Sequence, residues 1–200
     1  MPEVEPNEES GLAATFVGVL IRPRATFARL GQGTRAQPGA SAVALLGMAW
    51  GGLCLVLWRA GIEPAFVLVP VPPRDWYLVQ GLLSLPILTA LWWLFSEVSH
   101  RLARRAGGVG KEPGVRAALG FAYAVPTLVH VLVESAAFLS AGQPGLRAVA
   151  RVSMPLSALG VWVLSTLALR ATHSISGPAA VGAAFVGLLV QALVGSLILR

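Results

Sequence analysis

Charge is scarce in this chain: Asp, Glu, Lys and Arg make up 12% of its 200 residues, against about 25% in soluble globular domains. The shortage is uneven, and long windows carry no charge at all. That argues against a soluble globular protein, and the 56% hydrophobic content with a mean hydropathy of +0.72 points to an integral membrane protein. Cysteine is nearly absent. Cys54 alone permits no intrachain disulfide, and its place in an apolar run suits a buried structural thiol. Hydrolase motifs are missing as well: no H-E-x-x-H, G-x-S-x-G or S-x-x-K occurs. No internal repeat is visible, so the inverted-repeat signature of many transporters is lacking. The expectation is a non-enzymatic protein with no cofactor and no metal.

What charge there is sums to +6, with a pI near 11.0. A basic balance of this size can mark a nucleic-acid binder. Here the basic residues sit at the ends of apolar segments rather than on one polar face, which fits orientation in a bilayer and no nucleic-acid partner.

Along the chain, residues 1–13 read as an acidic disordered tail, with Glu3, Glu5, Glu8 and Glu9. This acidic start argues against a secretory signal. Residues 14–36 form an amphipathic interfacial arm in which Phe16, Val19, Leu20, Phe27 and Leu30 alternate with Arg22, Arg24 and Arg29, and Pro23 divides it. Too short and too charged to span, it reads as helix-break-helix at the lipid phosphates, with a flexible cytoplasmic arm as the alternative. The rest, 40–199, is expected to be all-α with five transmembrane spans at about 40–58, 76–98, 117–139, 152–169 and 178–199.

Small residues mark the faces where spans approach: Gly47 and Gly51 in the first, Ser153, Ser157 and Gly160 in the fourth, and Ala179, Ala183, Gly187, Gln191 and Gly195 in the fifth. The apolar residues 65–69, framed by prolines, are too few to cross and are expected to dip into the interface. Trp76 and Tyr77 open the second span as interfacial anchors, and Pro86 is expected to kink it. Five of the sixteen residues at 101–116 are basic. Within them the run 107–111 superficially resembles a phosphate loop. However, Arg105 stands where the Walker pattern needs Gly, and Glu112 where it needs Ser or Thr. A flexible solvated linker is the expectation there. On this layout ten Lys and Arg lie on the N-terminal side and five on the other, so the N-terminus is expected in the cytoplasm and the C-terminus outside.

The third span carries the chemistry-bearing residues. Tyr123, Thr127, His130 and Glu134 fall within about 60° on one helix face. An ionisable group at that depth costs about 2.5–3.5 kcal/mol on insertion scales. The stripe could line a polar cavity or proton path, or it could glue neighbouring helices by hydrogen bonds. Glu97 and His100 have the E-x-x-H spacing of half a di-iron site, but the other half is absent. Pairing of Glu97 with arginine is the simpler expectation.

Three passages resemble the Yip family (Ypt/Rab-interacting membrane proteins), in its bacterial branch. The first is Phe16-Val-Gly-Val-Leu-Ile-Arg-Pro23-Arg-Ala-Thr26-Phe27-Ala-Arg-Leu30, similar to the family's pre-membrane pattern. The second is His100 through Gly110, followed by Tyr123-Ala-Val-Pro126. The third is Leu167-Ala-Leu-Arg-Ala-Thr-His173-Ser-Ile-Ser before a small-residue final span. The resemblance covers nearly all of the chain from about residue 14. It implies five transmembrane helices, a cytoplasmic N-terminus and no enzymatic activity. Vesicle-trafficking members bind Rab GTPases, but the Asp-Leu-Tyr-Gly-Pro element of those members is lacking here, so Rab binding does not carry over. Fourteen arginines against one lysine fit a G+C-rich bacterial genome, and the bacterial inner membrane is the expected location.

The leading expectation is an interaction or membrane-organising factor. Its cytoplasmic interface would comprise Arg22, Pro23, Arg24, Phe27, His100, Arg101, Arg104, Arg105, Lys111 and His173. Expected partners are the lipid bilayer, anionic headgroups among them, an unknown protein, and a homo-oligomer as an option. The alternative is a small proton, ion or metal channel or carrier that uses the polar stripe.

Overall fold

The computed structural model describes residues 11–64 and 70–198. Residues 1–10, most of the acidic tail, and the apolar stretch 65–69 lie outside the described residues, as do 199 and 200. Six α-helices and one short 3-10 turn account for the structure, with no strand among the described residues. They are α1 (Leu12–Ile21), α2 (Pro23–Gln32), α3 (Gln37–Arg59), α4 (Trp76–Arg105, preceded by the turn Pro73–Asp75), α5 (Glu112–His173) and α6 (Gly177–Ile198).

Four of these, α3 to α6, are long and apolar enough to cross a membrane. Only 22–44% of their most apolar windows is buried inside the protein. Leu82, Leu132, Leu156 and Leu193 are each more than half exposed, the arrangement expected where lipid replaces water as solvent.

The sequence reading expects five spans, and the structure has four such helices because the third and fourth expected spans are one element. At about 1.5 Å per residue, the 62 residues of α5 would extend about 93 Å if straight. They do not run straight. His130 Nδ1 lies 3.0 Å from Ser153 Oγ, 23 residues on, and Gly160 packs on the Pro126 ring. Both contacts require the chain to fold back near residue 142. Gly142 has φ 63° and ψ −154°, a region essentially restricted to glycine. It makes α5 a hairpin of two antiparallel arms.

The first arm is the centre of the molecule. Every residue from 117 to 125 is buried, and α1, α2, α3, α4 and α6 all contact α5. Close approach is licensed by small residues: Gly120 meets the backbone of Gly39 on α3, and Gly39 meets that of Ala117. Gly47 and Gly51 pack on Leu85, Gly81 and Ser84 of α4, so this pair serves helix packing within the chain. Ser84 adds hydrogen bonds from its Oγ to the carbonyls of Gly47 and Gly81, both at 2.9 Å.

The arm at 14–36 holds α1 and α2, which break at Arg22. Pro23 takes the first position of α2, where its missing N–H costs nothing. Phe16 meets Phe121 edge to face at 5.3 Å, and Val19 and Phe27 are fully buried. The opposite face of α1 presents Val17, Leu20 and Ile21, each more than half exposed.

Replacing Gly142 by Ala is expected to destabilise the hairpin by about 1–3 kcal/mol. The measurement is a denaturation midpoint in detergent micelles, and an unchanged midpoint would place the origin of the bend elsewhere.

Candidate functional site

Polar side chains gather at two ends of the bundle. At the first, the hairpin brings the two ends of α5 together and the C-terminal end of α4 joins them. Glu97 on α4 accepts from Arg101 Nε at 2.6 Å and from Arg116 Nη2 at 2.9 Å. Arg116 also pairs with Glu112 at 2.7 Å and lies over the Trp93 ring at 5.4 Å. The guanidinium therefore bolts α4 to the start of α5, with a cation–π contact as a third support.

Beside this network, His100 Nδ1 and His173 Nε2 are 3.1 Å apart, and the Gly110 N–H donates to His173 Nδ1 at 3.1 Å. These contacts determine the tautomers. A donor facing Nδ1 of His173 means that nitrogen carries a lone pair, so Nε2 carries the proton and donates to His100 Nδ1. Both rings are neutral in this arrangement, and the proton of His100 sits on its Nε2.

The segment 106–111 closes over the pair. Gly108 N–H donates to the Ala103 carbonyl at 2.9 Å and Val109 N–H to the His173 carbonyl at 3.3 Å. A Cβ at Gly108 would meet His173 Nδ1, and one at Gly110 the Thr172 carbonyl and the His173 ring. Glycine is required at both because the loop backbone lies directly on the imidazole. The expected flexible linker is thus corrected: α4 runs on to Arg105, α5 starts at Glu112, and the six residues between form a folded clasp. Gly31 of α2 packs on Thr172 and on Gly114, so the N-terminal arm meets the same end.

His100 and His173 stand beyond Glu97 and Arg170, outside the apolar stretches. Burial, then the neighbouring His100 and Arg104, push His173 down to about 4. Burial also lowers His100, opposed by Glu112 and Glu97.

At the other end, the structure brings together only part of the expected stripe. Tyr123 faces Phe95 at 6.4 Å and stands beside Gln191 of α6. Thr127 turns its hydroxyl to the Tyr123 carbonyl at 2.8 Å. His130 and Glu134 do meet, Nε2 to Oε1 at 3.5 Å. The divide falls at Pro126. Up to residue 125 the arm is enclosed on all sides; beyond it Val129, Leu132 and Val133 emerge. Glu134 lines a cleft of about 360 Å³ between α3, α4 and the hairpin tip, together with Trp50, Tyr77, Gln80 and Arg147. Cys54 Sγ donates to Gln80 Oε1 in its wall at 3.7 Å, and Trp50 lies nearly parallel to the His130 ring.

Of the residues expected at the cytoplasmic interface, Arg22, Arg24, Arg101, Arg104, Arg105 and Lys111 are exposed. Pro23 and His100 are half-buried. Phe27 and His173 are fully buried, so they act as packing groups and are corrected out of the surface. Glu97 and His100 turn to different partners, arginine and histidine. Among the described residues no three His, Cys, Asp or Glu side chains could hold a metal ion together.

Sequence reasoning missed Arg116 as the bolt, the seat of the clasp glycines on His173, and Ser153 as the partner of His130. Only Ser153 left a signal, through antiparallel register: positions 130 and 153 lie nearly symmetrically about 142. Comparison with protein-family profiles, curated proteins and solved structures returns no match for this chain.

Phe in place of His173 keeps the bulk but strips Gly110 of its acceptor, at a cost of about 1–3 kcal/mol; Gln should recover part of the loss in thermal midpoint. The clasp is also expected to depend on pH. Both rings are held neutral, so the unfolded chain binds more protons as pH falls. The stability they contribute is full above the ordinary imidazole value of 6.5 and declines toward about 4. The midpoint should drop across that window in the native protein and drop less in His173→Gln; equal slopes would contradict the relay.

Proposed function

We propose that this chain is a Yip-like, non-enzymatic membrane protein of five crossings, one for each arm of α5 and one each for α3, α4 and α6. An even number of crossings by the hairpin returns both ends of α5 to one face. The three basic segments, 22–35, 101–116 and Arg170, then share that face, which the positive-inside rule places in the cytoplasm. The bacterial inner membrane is the location this reading takes.

The protein acts as a docking and membrane-organising factor through that face. The observation that carries the reading is the set of exposed Arg104, Arg105, Lys111 and Arg170 beside a clasp seated on the buried His173, with exposed Arg22 and Arg24 on the arm whose Gly31 packs at the same end. A preorganised cationic surface loses little entropy on binding, and it suits an acidic protein or anionic headgroups. The outward apolar face of α1 supports an arm that lies in the lipid interface.

A second reading has one observation in its favour: Glu134 lines an open cleft, as a proton or ion path would need. Vesicle flux lost in Glu134→Gln would support that carrier reading.

Crosslinking in native membranes with mass spectrometry tests the docking reading. A defined protein neighbour, or anionic lipid, should attach through residues 22–35 or 101–111, and charge reversal at Arg22, Arg24, Arg104 and Arg105 should remove it. Crosslinks scattered over many neighbours, unaffected by the reversal, would refute it. Tags at the two termini should report opposite compartments; the same compartment would refute five crossings.

A further inference from the structure

The cleft at the hairpin end has no role in docking at the opposite face, and its lining is chemically asymmetric. Its volume, about 360 Å³, lies at the lower end of the roughly 300–1,000 Å³ typical of small-molecule sites. Trp50, Trp76 and Tyr77 contribute aromatic rings to its wall, and such rings favour a cation near their faces. Glu134 is 6% exposed, and among the described residues its ion-pair contact is His130 at 3.5 Å. The carboxylate therefore keeps acceptor capacity for an ammonium donor.

Arg147 stands on the same wall but is exposed, and it forms no salt bridge among the described residues. An arginine in that position suits a phosphate. Two carboxylates, the sunken Glu134 and the exposed Glu63, with the exposed Arg147 guanidinium complement a zwitterion that enters ammonium first and leaves its phosphate outward. Depth agrees with this. Glu134 lies five residues, about 7.5 Å at helical rise, from the expected outer limit of its span at residue 139, within reach of a lipid headgroup.

We propose that this cleft binds a phosphoethanolamine group, the ammonium on Glu134 among the aromatic rings and the phosphate on Arg147. A quaternary ammonium has no N–H to give Glu134, and a glycerol headgroup has no cation, so choline and glycerol phospholipids should bind less well. The proposal is independent of the docking reading, because it concerns the other end of the bundle.

Native mass spectrometry of the full chain in detergent tests it, with phosphatidylethanolamine, phosphatidylcholine and phosphatidylglycerol offered at equal concentration. The phosphatidylethanolamine adduct should be retained about tenfold more than either other lipid, the scale of one charge-assisted hydrogen bond. Free phosphoethanolamine should displace it. If free phosphoethanolamine binds while the lipid is not retained, the same chemistry comes from a soluble source. Glu134→Gln, checked for monodispersity, should erase the preference, and Arg147→Gln should weaken retention of all three lipids and binding of free phosphoethanolamine alike, whereas Glu112→Gln at the other face should leave both unchanged. Equal retention of the three lipids by the unaltered protein with no binding of free phosphoethanolamine, a preference untouched by Glu134→Gln, or retention untouched by Arg147→Gln overturns the proposal.

Discussion

Burial of the first arm of α5 on every side is the constraint from which the rest of the architecture follows. Helices in a bilayer gain little by exchanging lipid tails for one another's apolar side chains, so close van der Waals fit and hydrogen bonds must hold them. A central helix then needs small residues wherever neighbours cross it. Ala117, Ala118, Gly120, Ala122 and Ala124 meet that need within one run. Gly39 answers Gly120 from α3, and Gly31 answers Gly114 from α2. Large apolar groups are displaced outward, onto exposed faces of α3, α4, α6 and the second arm.

The same enclosure forces polar side chains to the two ends of the arm, and the ends differ in character. One is shut: salt bridges from Arg116 and Glu97 and a glycine loop seated on the neutral His173 imidazole, itself bonded to His100, tie five chain segments together. Neutral rings suit that place, since a charged imidazole would lie beside Arg104. The other end is open. Between α3, α4 and the hairpin tip a cleft remains, with Glu134 in its wall. A rigid cationic face and an accessible cleft are thus consequences of one packing solution.

Much of this was legible locally. Apolar windows identified the helices, Pro23 marked the break between α1 and α2, Gly47 and Gly51 marked the α3 surface that meets α4, and Glu97 was expected to find arginine. Local reasoning failed where helical period was taken to imply a shared environment. Tyr123, Thr127, His130 and Glu134 do lie on one face, yet that face turns from α6 toward the cleft as the arm passes Pro126. Composition misled it at 106–111, where glycine permits a loop to be flexible but equally permits it to lie flat on a histidine ring.

The amino-acid sequence by itself determined which segments are apolar enough to sit in a bilayer and where helices break, because hydropathy and backbone preference act between near neighbours in the chain. Only the tertiary structure decided that α5 is a hairpin, that His173 is a buried relay rather than a surface group, and that Glu134 borders a cleft. Those outcomes rest on partners 23, 63 and 73 residues distant, and no local pattern encodes a contact whose two halves belong to different helices.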